Sequence, residues 1–263
     1  MQVKLTEGDR VLTAAKGTEN LEAYLKYLQA NEHICQDNRE AMAAGKKMAE
    51  EAIALDPEYS MPYVALAIIN TSEFWVDASK SQKQLLDEAK DLLQKAIDLD
   101  ESNAEAHSRL AFVYLFGDQH EKALEQAEKA VELDPNSSEA HYGMGKVLTF
   151  TDKNEAAVLE YKKAIRLNPI PPSSYFWSLG LSCAIVGQYD EAIEWCEKAI
   201  QSEPDSLMAR IMATVVYEWS GRDDDARVQA AEVLRINPKF SLERFAKKAG
   251  TELTKALRDA GLK

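Results

Sequence analysis

Glycine and proline are scarce in this chain, at 11 and 8 of 263 residues. Turn-rich all-β folds use many of both, so their scarcity favours helix. Cysteine is scarcer still. Cys35, Cys183 and Cys196 are odd in number and lack CxxC spacing. That pattern supports neither a disulfide framework nor a thiolate metal centre, and a reducing, cytoplasmic setting is the simplest expectation. Long apolar runs are missing too. Stretches such as Tyr63–Ile69 fall far short of a bilayer span, and the opening MQVKLTEGDR lacks the apolar core of a signal peptide. Positive charge is in deficit: 31 Lys and Arg face 44 Asp and Glu, a net charge of −13 with no dense basic run. Nucleic-acid binding needs a basic stripe, and anionic lipid would repel this balance. Neither a nucleic-acid partner nor membrane insertion is therefore expected.

What the chain does have is a period. Pro135, Pro169, Pro204 and Pro238 are spaced 34, 35 and 34 residues apart. They close the phrases KAVELDP, KAIRLNP, KAIQSEP and EVLRINP. Such a period marks a helical repeat whose units cannot bury their apolar faces alone and must stack. Residues 104–137 place His107, Leu110, Ala111 and Tyr114 on a first helix, with Ala123, Ala127 and Ala130 on a second. Residues 138–172 repeat the offsets with His141, Met144, Gly145, Leu148, Ala157, Tyr161, Ala164 and Pro169. Spacings of three and four put each set on one helix face. Gly145 and the alanines are small where two helix backbones should approach closely. The prolines end the second helices because they cannot continue the hydrogen-bond ladder.

These residues resemble the tetratricopeptide repeat (TPR) consensus. Residues 173–206 carry it in Phe176, Leu179, Gly180, Cys183, Ala192, Cys196, Ala199 and Pro204, with Gly187 and Tyr189 in the turn. Residues 207–240 carry it in Ala213, Thr214, Tyr217, Gly221, Ala226, Ala230, Val233 and Pro238, with Arg210 where an aromatic is usual. Residues 60–103 keep Tyr63, Leu66, Ala67, Ala89, Leu93 and Ala96. They depart at Asn70 and at Glu101, which stands in the proline's place, and they hold ten extra residues around Thr71–Gln82. A first unit over 20–59 shows two helices, the second closed by Pro57, without a clear register. The resemblance implies an all-α fold: a right-handed α-solenoid of about six helix pairs over 20–240. An N-terminal linker or helix over 1–19 precedes it. A capping helical segment over 241–263 follows, with Ser241 and Thr251 as candidate N-caps and Gly261 as candidate C-cap. The opening VKLTEGDR and GTENLEAYLKYLQANEHI and the closing INPKFSLERF and LTKALRDAGLK are similar to the flanks of TPR arrays at the C-terminus of bacterial class III adenylate cyclases. That similarity implies the regulatory or interaction portion of a bacterial signalling protein, without the catalytic domain.

In this family the first helices line a concave groove. The resemblance assigns to it Phe112, Phe116, Tyr142, Lys146, Phe150, Trp177, Leu181, Ile185, Met208, Ile211, Val215 and Trp219. This apolar, aromatic set implies a protein or peptide partner that presents an apolar or amphipathic segment. Lys146 stands almost alone as a cation, which argues against the carboxylate clamp of chaperone-binding members. Two other readings stand beside this one: the same residues pack against neighbouring first helices, or the chain self-assembles into a homo-oligomer through groove or termini. Phe74 and Trp75 offer either a second contact point or simply the packing of longer helices.

Chemistry finds little support. Gly143-Met144-Gly145-Lys146 lacks the longer loop, the following Ser or Thr and the preceding strand of a phosphate loop. His107 and His141 share one repeat offset but have no second ligand at i+4. Cys183 and Cys196 read as small buried hydrophobes. Glu125–Lys129 and Glu194–Lys198 are spaced for ion pairs along their helices. No catalytic set, metal site or cofactor site is expected.

Overall fold

The computed structural model describes residues 17–35, 39–76, 81–246 and 250–263. Residues 1–16 of the expected N-terminal segment, and the side chains of Phe74 and Trp75, lie outside that description. The described residues form helices joined by turns, with no strand among them. The chain divides into two compact units, 1–135 and 136–263.

The first unit holds α1 (Leu21–Cys35), α2 (Arg39–Leu55), α3 (Met61–Val76), α4 (Gln82–Leu99), α5 (Ala104–Phe116) and α6 (His120–Leu133). They pair as hairpins α1/α2, α3/α4 and α5/α6. Each later first helix also packs on both helices of the hairpin before it: α3 on α1 and α2, α5 on α3 and α4. One core cluster therefore draws Val64 and Ala67 from α3, Ala89, Leu93 and Ala96 from α4, and Ala106, Leu110 and Val113 from α5. No single hairpin could bury that set. The extra residues of the second repeat lengthen its helices. α3 and α4 run 16 and 18 residues, against 13 and 14 for α5 and α6. The Thr71 and Ser72 hydroxyls bond back to the carbonyls of Ala67 and Ile68 at 3.0 Å, so polar residues fit this longer helix.

The second unit holds α7 (Ser138–Phe150), α8 (Asn154–Leu167), α9 (Ser173–Ile185), α10 (Tyr189–Ser202), α11 (Leu207–Trp219), α12 (Asp223–Ile236), α13 (Leu242–Ala246) and α14 (Thr251–Asp259). The same rule builds it. α9 packs on α7 and α8, and α11 packs on α9 and α10. α14 packs on α11 and α13, burying Leu257 and Leu262 where a further first helix would otherwise lie. Gly250, not Thr251, precedes the first turn of α14, so the candidate N-cap at Thr251 is already inside the helix. Ser241 does cap, accepting from the Arg244 N–H at 3.4 Å. Gly261 adopts φ 103° just past the helix end.

The small residues sit where backbones meet. A Cβ on Gly145 would lie 2.7 Å from the Tyr161 ring, and one on Gly180 would lie 2.7 Å from Cys196 Sγ. The turns inside the last four hairpins each hold a left-handed residue. Gly187 and Gly221 supply it in the last two repeats, while Asp118 (φ 56°) and Asp152 (φ 58°) supply it in the two before.

At four corners an Asp or Asn at the position before the proline, or before its replacement Glu101, holds the turn. Asn168 Oδ1 accepts from the Ile170 N–H at 3.0 Å, and Asn237 Oδ1 accepts from the Lys239 N–H at 3.1 Å. Asp56 does the same for Glu58 at 3.1 Å. Asp100 accepts from the Ser102 N–H at 3.0 Å and from its hydroxyl at 2.6 Å. This side-chain turn forms without proline, so Glu101 leaves the corner intact.

Candidate functional site

The first helices of the second unit carry ten of the groove residues: Tyr142, Lys146 and Phe150 on α7, Trp177, Leu181 and Ile185 on α9, and Met208, Ile211, Val215 and Trp219 on α11. Phe112 and Phe116, both half-buried on α5, belong to the first unit. Within the second unit these side chains differ in access. Phe150 is 53% exposed and Ile185 41%. Lys146, Trp177, Leu181, Met208 and Trp219 are half-buried. Tyr142, Ile211 and Val215 are buried.

The reason for the Tyr142 burial is a packed aromatic group. Its ring stacks on Tyr175 with centroids 4.3 Å apart, and it tilts against Tyr161 at 5.8 Å. Around it runs a file of hydroxyls. Thr149 Oγ1 donates to the Gly145 carbonyl at 2.9 Å and lies 3.1 Å from Ser182 Oγ and 3.3 Å from Tyr161 Oη. Tyr175 Oη donates to Glu139 at 2.6 Å. Burial holds the Tyr161 and Tyr175 phenols well above their ordinary range. Ser178 Oγ completes the file 3.5 Å from Tyr142 Oη, and the repeat pattern in the sequence does not single out Tyr175, Ser178 or Ser182. The polar residues on a first helix that is otherwise apolar were the available signal.

Lys146 Nζ lies 5.3 Å from the Trp177 ring centroid and 5.5 Å from that of Tyr142. It therefore spans α7 and α9, a cation over two aromatic faces. At the other end, the Glu218 carboxyl is pushed upward by burial and then by the charges of Asp223 and Asp259. The face is thus apolar along its middle, with a cation on α7 and an acidic group on α11.

The chemical candidates resolve into packing. Gly143 to Lys146 lie inside α7. His107 Nδ1 meets Gln126 Oε1 at 2.7 Å, and His141 Nδ1 meets Glu160 Oε2 at 2.5 Å, so each histidine faces its own second helix. No cluster of metal-ligating side chains occurs among the described residues. Burial raises the Cys183 thiol to about 12, and burial raises the Cys196 thiol as well. Neither supplies a thiolate nucleophile near neutral pH. Two expected ion pairs form differently: Lys129 reaches Glu132 at 3.0 Å, and Lys198 lies 4.0 Å above the Trp195 ring.

Tetratricopeptide repeat family models match residues 82–147, 142–206 and 186–247, well over half of the chain. The chain belongs to the tetratricopeptide repeat family. A TPR fold supports a protein–protein interaction module and is typically non-catalytic. A thermophilic TPR protein of Thermus thermophilus is 21% identical, with a TM-score of 0.60 over 76% of this chain and 99% of its own. PilW, a widely conserved type IV pilus biogenesis factor, is 15% identical, with a TM-score of 0.60 over 89% of this chain and 98% of its own. Both likenesses concern the fold. "Putative adenylate cyclase 3" of Rhizobium meliloti (strain 1021) is 29% identical over 111 residues. That match covers 42% of this TPR chain and only 19% of the relative. No helix among the described residues is long and apolar enough to cross a membrane.

Proposed function

We propose that this chain is a non-catalytic protein-binding portion of a bacterial signalling protein, which takes an apolar or amphipathic segment along the first-helix face of residues 136–263. One observation carries the reading: Phe150 and Ile185 are exposed on adjacent first helices, beside half-buried Trp177, Leu181 and Trp219. Large apolar side chains exposed together mark contact surfaces, and aromatic anchors supply most of the energy in such contacts. Lys146, held over Trp177, adds a cation to this aromatic face. The partial match to a protein named as an adenylate cyclase supports the signalling context. The free thiols of Cys183 and Cys196 support a reducing, cytoplasmic compartment.

The test is titration of a panel of amphipathic helical peptides, read by the fluorescence of Trp177 and Trp219. Replacing Phe150 and Ile185 with Ser, both exposed, should weaken binding about tenfold or more, with unchanged circular dichroism. Unchanged affinity would remove the groove reading. Light scattering that shows concentration-dependent assembly would replace it with a self-assembling scaffold. Turnover of a nucleoside triphosphate by the isolated chain would overturn its non-catalytic part.

A further inference from the structure

The outer face of α8 breaks the pattern of its neighbours. At three matching repeat positions α6 carries Glu125, Glu128 and Glu132, and α10 carries Glu194, Glu197 and Gln201. The same positions on α8 hold Leu159, Lys162 and Arg166. Stacking does not require the change, because these positions point away from the hairpin core and Leu159 is 68% exposed. With Lys163, the three line an open depression of about 330 Å³. Lys162 is engaged by Glu191 at 2.7 Å. Among the described residues, no carboxylate lies within ion-pair distance of Lys163 or Arg166. In a chain of net charge −13, this is an exposed apolar side chain with three cations on its C-terminal side, one of them paired with Glu191, and with the exposed Glu155 one turn before it.

We infer that the outer face of α8 is a second docking surface, which takes an acidic protein segment carrying one large apolar side chain. Charge complementarity sets the sign of the partner, and the exposed Leu159 sets the need for an apolar group. The width of the strip selects a single segment. α10, packed against the next first helix, turns Asp190, Glu194 and Glu197 outward, all exposed. A duplex or an anionic bilayer, which needs a broad basic area, would meet those carboxylates. The strip lies on a second helix, so it is separate from the first-helix face proposed above.

The experiment uses the full chain and a synthetic peptide with a central leucine flanked by glutamates. The same peptide with its leucine replaced by glutamine is the control. Backbone amide shifts in NMR spectra report the site. The variant joins Leu159→Glu with Arg166→Gln, which gives α8 the residues that α10 carries at those positions. The leucine peptide should shift amides of α8 and bind the variant roughly tenfold more weakly, about the effect of one lost apolar contact with its ion pair. The glutamine peptide should bind more weakly than the leucine peptide. Equal affinity for both proteins, or shifts confined to other helices, would overturn the inference. So would a strip that engages only duplex DNA, phosphatidylserine vesicles or, by light scattering, a second copy of the chain.

Discussion

His141 on α7 and Glu160 on α8 form a 2.5 Å contact nineteen residues apart, and that separation recurs in every complete repeat after it and in the one before. His107 meets Gln126 at 2.7 Å, Phe176 stacks on Trp195 at 5.9 Å, and Arg210 meets Gln229 at 2.7 Å. One geometric slot thus accepts an imidazole beside a carboxylate, an imidazole or a guanidinium beside an amide, or an aromatic stack. His141 is 1% exposed and Glu160 28%. Replacing His141 with Ala should cost about 1–3 kcal/mol, since it empties a buried slot and strands the carboxylate. Joining His141→Phe with Glu160→Trp, which copies the Phe176–Trp195 pair, should recover most of that loss. Urea denaturation of both variants measures it, and no recovery would mean the slot is not interchangeable.

Gly145→Ala should destabilise the second unit by about 1–3 kcal/mol, because the new Cβ meets the buried Tyr161 ring at 2.7 Å. The cost should shrink when Tyr161→Leu is already present. A double-mutant cycle checks this, and strict additivity would contradict the contact.

Gly187→Ala should cost about 1–2 kcal/mol from backbone strain alone. Its φ is 80° and no atom lies within 4 Å of the added Cβ. Gly187→Asp should cost less, since Asp118 and Asp152 hold the same conformation. Thermal melts that rank Asp below Ala would refute this.

Glu101→Pro should stabilise the first unit by about 0.4–1 kcal/mol through the unfolded chain. Asp100 has φ −148° and ψ 94°, close to Asp134 (−137°, 86°) and Asn237 (−129°, 88°), which already precede prolines. The residue before it therefore already holds the conformation that a following proline requires. A lower melting temperature would show that the corner differs from the others.

Cys183 gives a pH signature. Its folded thiol is raised to about 12 by burial and then by the charge of Glu191, while an unfolded thiol ionises near about 8.5. The unfolded state therefore loses its proton first. The stabilising contribution is complete below the unfolded value and is lost as pH rises from there toward about 12. Cys183→Ala should flatten the decline of urea stability above the ordinary thiol range, and native alkylation of Cys183 should be slow at pH 8. Rapid labelling of the folded chain would contradict the burial.

The period, the small residues at Gly145 and Gly180 and the helix pairs were legible because each repeat states them again in the same register. The corner was read from its prolines, yet the hydrogen bonds come from Asp56, Asp100, Asn168 and Asn237. Glu101 therefore looked like a break and is not one. The candidate groove was only partly legible. A first-helix offset names the side chain but not what the next helix places over it. Tyr175 covers Tyr142, and Ile211 and Val215 are buried in the helix on which α14 packs.

By itself, then, the sequence determined the all-helical repeat, its family and the sites where backbones must approach. These are properties of a 34-residue phrase repeated along the chain. Only the tertiary structure decided which first-helix residues stay accessible, which polar groups pair across nineteen residues and which cations on the outer face of α8 meet a carboxylate. The nineteen-residue pairs depend on packing inside a hairpin, and access depends on packing between repeats, as where Ser178 and Ser182 meet Tyr142 and Thr149 from 36 and 33 positions away.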